Sequence, residues 1–122
     1  MSKSILTIDD SMSVRQMVRM TLHSAGYAVT EAVDGEDGLE KARSKRFDAI
    51  ITDQNMPRLD GIGFIRKFRT LPTATGVPVV FLSTESRADL KDQARAAGAT
   101  GWLTKPFDQT KLIDVVRKVV GQ

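Results

Sequence analysis

Ala49-Ile50-Ile51-Thr52-Asp53 decides the fold: an apolar, β-branched run ends abruptly in a carboxylate. A run of this length, bounded by polar residues, is the mark of a strand buried on both faces. Two other stretches share the design. Ile5-Leu6-Thr7-Ile8 runs into Asp9-Asp10, and Gly101-Trp102-Leu103-Thr104 runs into Lys105-Pro106. If the three strands are parallel neighbours, their ends gather three carboxylates and one ammonium at a single edge of the sheet. Carboxylates sharing a site resist joint ionisation unless a cation compensates them. The cluster therefore points to a divalent metal and to chemistry on an anion.

Working outward, strand-length runs recur at Ile5–Ile8, Tyr27–Thr30, Ala49–Thr52, Val77–Leu82 and Ala99–Leu103. Segments with helical spacing lie between them. Val14, Val18, Leu22 and Ala25 share one face, with Arg15, Gln16 and Arg19 opposite. Leu39 and Ala42 mark a helix over roughly 36–45, weakened by Gly38, and Phe64, Ile65 and Phe68 mark a third. Leu90, Ala94 and Ala97 carry the fourth. In the β-branched stretch 112–120 the polar positions repeat every three to four residues, so a fifth helix is expected, with Asp108 as its N-cap. Gly26 and Gly98 stand where the first and fourth helices should stop. The stretch 71–76 reads as a polar loop. Strand–helix alternation of this kind implies a parallel sheet covered on both faces. In such sheets ligands sit beyond the carboxyl ends of the strands. Asp9, Asp10, Asp53, Ser83 and Lys105 all close or follow predicted strands.

The 122 residues are expected to form one domain, over 1–122, large enough to bury a core without staples. Hydrophobic residues make up 41% and charged residues 27%, as in ordinary globular proteins. The absence of cysteine removes disulfides and thiolate metal sites. With neither an apolar signal region nor a run long enough to span a bilayer, a cytoplasmic location without membrane insertion is expected. The net charge of +3 does not argue for nucleic acid, because the basic residues are scattered among 15 acids.

With these positions assembled, the chain resembles the receiver domains of two-component response regulators, and most of all the stand-alone chemotaxis (CheY-like) type. The markers are Asp9-Asp10-Ser11, Asp53-Gln54-Asn55-Met56-Pro57 with Asp60-Gly61, Ser83, and Lys105-Pro106-Phe107. Any one would be weak, whereas all four in order at strand ends are specific. The resemblance spans essentially the whole chain. It implies a flavodoxin-like, doubly wound α/β fold with five parallel strands in the order 2-1-3-4-5 and five helices.

It also implies roles. Asp53 is expected to accept a phosphoryl group from a histidine kinase. Asp9 and Asp10, with Asp53 and the main-chain carbonyl of Asn55, are expected to hold Mg²⁺, a cation that wants hard oxygen ligands. Lys105 and Ser83 would clamp the modified group, with adjacent Thr84 the alternative hydroxyl. Ser83 and Trp102 occupy the switch positions, although Trp102 is larger than the usual aromatic there and has an N–H to satisfy. The Lys105–Pro106 bond resembles one that is commonly cis in the family. Asn55 and Glu85 resemble the pair found in quickly self-dephosphorylating members, which implies a short-lived phosphoryl group. The chain is then a phosphoacceptor that assists its own modification rather than an enzyme acting on external substrates.

Each residue also has a plainer use. Asp9 and Asp10 could cap the following helix, and Asp53 could cap a loop. His23 reads as a partly exposed bystander. Arg87, Lys91 and Arg95 on the fourth helix and Lys111, Arg117 and Lys118 on the fifth form either a solvated face or, with Trp102, a basic docking surface for a protein target. The flagellar motor switch is one candidate target, and chemotaxis the process expected. A phosphate sink or phosphorelay intermediate without its own target is the alternative, and a small phosphatase a more distant one.

Overall fold

The computed structural model describes residues 2–84 and 88–121. Its elements alternate: β1 (Ser4–Ile8), α1 (Met12–Ser24), β2 (Ala28–Ala32), α2 (Gly35–Ser44), β3 (Ala49–Asp53), α3 (Gly61–Phe68), β4 (Val79–Ser83), α4 (Ala88–Ala97), β5 (Gly101–Thr104) and α5 (Gln109–Val120). The strands form one parallel sheet in the order β2-β1-β3-β4-β5. This is the expected doubly wound arrangement.

Side chains alternate across each strand, so every strand feeds two cores. Leu6, Ile8, Ile50, Val79 and Phe81 pack with Phe64, Ile65 and Phe68 of α3, Leu39 of α2 and Leu90 of α4. Ile5, Ala49, Ile51, Val80, Leu82 and Leu103 pack on the other face with Val18 and Leu22 of α1 and Leu112 and Val116 of α5. Every residue of β3 is buried, which is why its sequence shows no polar alternation. Asp9, Asp53 and Lys105 fall in step with the α1/α5 face, and Ser83 and Trp102 with the face that carries α3 and α4.

The helix ends follow local chemistry. Ser11, Asp34, Asp60 and Asp108 cap α1, α2, α3 and α5, each accepting a main-chain N–H three residues on. Gly26 and Gly98 take positive φ after α1 and α4, as their positions required.

The boundaries of β2, β4 and β5 shift most. Tyr27 belongs to the turn after α1, its N–H donating to the Leu22 carbonyl, and β2 runs on to Ala32. Val77 donates to Ala74, so β4 begins at Val79, after Pro78, which has no N–H to give. Ala99 closes α4 by donating to Ala94, and β5 starts at Gly101. The expected polar loop at 71–76 is corrected as well. Pro72–Ala74 forms a 3₁₀ turn whose Ala74 is buried in the α3 core, because Pro at its first position suits a helical start and the small apolar Ala74 turns inward.

At the amino edge of the sheet Arg69 gathers loose ends. Its guanidinium donates to the Gly98 carbonyl at 2.7 and 3.2 Å and to the Ala74 carbonyl at 3.0 Å. The end of α4 is thereby fastened to the end of α3.

Candidate functional site

Register brings the predicted residues together. Ile8 lies opposite Thr52, so Asp9 and Asp53 leave β1 and β3 side by side. Asp53 pairs with Leu82 and Ser83 with Thr104, which places Ser83 and Lys105 at the same edge. Asp9, Asp53 and Ser83 are buried, and Asp10 is exposed. One carboxylate oxygen from each of Asp9, Asp10 and Asp53 lies within 4.8 Å of the other two.

Lys105 is the local counter-charge. Its Nζ is 2.8 Å from Asp53 Oδ1 and 3.3 Å from Asp9 Oδ2, with only 18% of the side chain exposed. Burial pulls the Lys105 pKa down, but the bond to Asp53 and the charges of Asp53 and Asp9 outweigh it, and the net direction is up. Asp9 is pushed above the ordinary carboxylate value, first by burial and further by the charge of Asp53. The Ser11 N–H and Lys105 only partly oppose this.

Three carboxylates against one ammonium leave formal negative charge that no described side chain neutralises. The donors are all hard oxygens, and both features fit a hard divalent cation such as Mg²⁺. The capping explanation for the acids falls away. Ser11 is the N-cap of α1, neither acid enters its first turn, and Asp9 Oδ1 instead accepts the Ser11 N–H at 2.9 Å.

The other predicted residues divide. Asn55 lies on the exposed loop two residues beyond Asp53, and Thr84 is exposed just past Ser83. The Lys105–Pro106 bond is cis. Trp102 is half-buried, with its ring on Phe81 (centroids 4.9 Å apart), its indole N–H donating to Thr104 Oγ1 at 3.0 Å, and Lys91 Nζ 5.3 Å over its face. Lys91, Arg95 and Trp102 line a pocket of about 190 Å³ between α4 and β5, while Arg95 leans toward Asp92 at 3.6 Å. Lys111, Arg117 and Lys118 are exposed on α5, as is His23 on α1. Glu85 and Arg87 lie outside the described residues.

Several partners of the site had not been anticipated. Arg15 Nη1 donates to the Asp9 carbonyl at 2.7 Å, while its Nε pairs with Glu31. Gln54 ties Asp53 to the start of α3: its main-chain N–H donates to Leu82, its carbonyl accepts from Gly61, and its side-chain oxygen accepts from Ile62. Gly61 must be glycine, since a Cβ there would stand 2.5 Å from the Asp53 carbonyl oxygen. Arg58 pairs with the buried Asp34 at 2.6 Å. Gly61 had a readable signal, since Asp60-Gly61 stood among the markers of the resemblance. For Arg15 and Arg58 there was none.

The response regulator receiver domain model matches residues 5–117. The chain belongs to that family. This receiver domain is 42% identical to the chemotaxis protein CheY4 of Vibrio cholerae, whose structure superposes with a TM-score of 0.94 over 98% of this chain and 99% of that one. The receiver domain of the sensor histidine kinase PA1611 from Pseudomonas aeruginosa, solved with a magnesium ion coordinated in its active-site cleft, matches at 28% identity over the full length of both, with a TM-score of 0.92. The chemotaxis protein CheV3 of Helicobacter pylori is 33% identical over 97% of this chain and 41% of its own length. The chain spans about half the length of the curated relatives it matches. Among the described residues no helix is long and apolar enough to cross a membrane.

Proposed function

We propose that this receiver domain is a phosphorylation-driven signalling switch in which Asp53 accepts a phosphoryl group from the phosphohistidine of a histidine kinase. One observation carries the reading. A buried carboxylate at the end of the central strand is held 2.8 Å from an ammonium, beside two further acids.

An Asp53 oxygen bonds to phosphorus as the histidine N–P bond breaks, and the histidine nitrogen keeps the electron pair. The product is an acyl phosphate. Lys105, already at that oxygen, follows the charge onto the phosphoryl group, and the Ser83 hydroxyl donates to a second phosphoryl oxygen. Asp9, Asp10, Asp53 and the Asn55 carbonyl would hold Mg²⁺, which would supply the positive charge that Lys105 alone does not. On this reading the chain is the acceptor of the group and assists its own modification, rather than an enzyme acting on an external substrate. The apolar groove of Val14, Met17, Pro106 and Phe107 opens beside Lys105 and gives a donor domain somewhere to rest.

Ser83 and Trp102 stand on the same face of the sheet, and movement of the first reaches the second through Phe81. Moving a two-state equilibrium from 1:99 to 99:1 takes about 5.5 kcal/mol. Two or three charge-assisted bonds at about 1.5–3 kcal/mol each bracket that figure. The output is a changed affinity for a protein target at the surface of Lys91, Arg95, Trp102 and Lys111. The likeness to the chemotaxis proteins CheY4 and CheV3 favours that process, and within it the flagellar motor switch is the target we propose. Asn55 together with Glu85 favours a short-lived phosphoryl group.

Incubation with acetyl phosphate, followed by intact mass, tests the reading. Phosphate should appear only with Mg²⁺ and never on Asp53→Asn. Labelling of that variant to the parental extent would end it.

A further inference from the structure

The loop 54–60, which carries Asn55, is anchored at both ends. Gln54 holds its start to Leu82, and Asp60 caps α3 at its finish. Its crest has a different fastening. Arg58 stands at φ 69°, a left-handed conformation that a residue with a Cβ adopts reluctantly. Glycine or asparagine would sit there with less strain, so the guanidinium has to do something that a small residue cannot.

That something is Asp34. Arg58 Nη1 lies 2.6 Å from Asp34 Oδ2, while Asp34 Oδ1 accepts the Asp37 N–H at 2.8 Å as the cap of α2. Asp34 is 5% exposed at its side chain and Arg58 64%, so a loop residue has reached in to a carboxylate fixed by the helix. The next residue continues the contact. A Cβ on Gly35 would meet the Leu59 carbonyl oxygen at 2.5 Å, so loop and helix start touch backbone to backbone.

We infer that Arg58 is a positioning residue for the phosphoryl-accepting site. Latched to Asp34, it holds the crest of the loop against α2 and so sets where the Asn55 main chain stands beside Asp53. This rests on the function proposed above, since Asn55 matters only if its carbonyl serves the metal.

Charge alone predicts something else, which makes the latch testable. Through space, removing the Arg58 charge should strengthen binding of Mg²⁺ to the acids, and removing the Asp34 charge should weaken it. A latch predicts that both removals weaken it, by similar factors, and that the double variant is no worse than either single one. Arg58→Asn suits the left-handed backbone without the freedom of glycine, and Asp34→Asn keeps a competent helix cap.

The experiment is a Mg²⁺ titration of the full chain, read by Trp102 fluorescence, with hydrogen exchange of the loop amides measured without metal. Each single variant should weaken Mg²⁺ about tenfold, the range seen when supports behind metal ligands are lost. Both should speed exchange at the amides of Asn55, Met56, Arg58 and Leu59, and Arg58→Lys should recover part of the affinity. Tighter Mg²⁺ binding in Arg58→Asn, additive losses in the double variant, or unchanged exchange in Asp34→Asn would each overturn the latch. A parent chain that binds no Mg²⁺ would sink the proposed function instead, and the metal-free exchange would still decide whether the latch exists.

Discussion

Asp9 and Asp34 are both buried carboxylates at the carboxyl edge of the sheet, and each faces a cation, yet their ionisation is driven in opposite directions. Asp34 is held below the ordinary value of 3.8, first by the Asp37 N–H and then, against the cost of burial, by Arg58. Asp9 is raised above it because burial and the neighbouring Asp53 outweigh Ser11 and Lys105. The difference teaches what each is for. A carboxylate whose partners all belong to the protein is a finished joint. One left short of positive charge is an opening for something from outside.

The largest expected effect breaks the comparison at its source. Asp53→Asn removes the charge that most disturbs Asp9 and the oxygen that takes the phosphoryl group. Acetyl-phosphate labelling should vanish while the far-ultraviolet circular dichroism stays unchanged.

Stability should then separate the two acids by sign. In urea melts without metal at neutral pH, Asp34→Asn should cost about 1 kcal/mol, since a charge-assisted bond is lost to a partner that is itself mostly solvated. Asp9→Asn should instead gain about 1 kcal/mol by relieving a buried like-charge pair, while losing Mg²⁺ binding. A loss in both would show that Asp9 is as settled as Asp34.

Acid sharpens the contrast. The raised Asp9 penalises the folded state fully above its folded pKa, and the penalty fades as pH falls towards 3.8. The lowered Asp34 contributes its stability above 3.8 and loses it only as pH falls further, through its own folded pKa. Urea midpoints between pH 7 and pH 3 should therefore show the Asp9→Asn advantage disappearing before the Asp34→Asn deficit does. The smallest effect concerns the output surface. Lys91→Ala should shift the Trp102 emission while changing stability by only about 0.5 kcal/mol, as for an exposed cation–π contact.

The same comparison measures what could be read from the chain. Asp9, Asp53 and Lys105 were legible because each ends an apolar run, and parallel pairing then has to bring such ends together. Asp34–Arg58 was not, since 24 residues and a left-handed loop separate the two and neither has a distinctive neighbour. Arg15 looked like a solvent-facing helix residue, yet it turns back to the Asp9 carbonyl. The sheet order and all five helices could be anticipated. The strand limits near Tyr27, Pro78 and Ala99 slipped by one or two residues, because turn hydrogen bonds claim amides that hydrophobicity alone would give to the strands. Ala74 was missed in a stretch of polar appearance, where a single 3₁₀ turn buries it.

Arg69, far from all of this, decides how α4 can answer a disturbance. A rod held at its trailing end, where Arg69 bonds the Gly98 carbonyl and links it to Ala74, has its fixed point there. A push on its leading turns is therefore expected to pivot the helix about that end instead of sliding it, with the largest sweep nearest the strand that ends in Ser83.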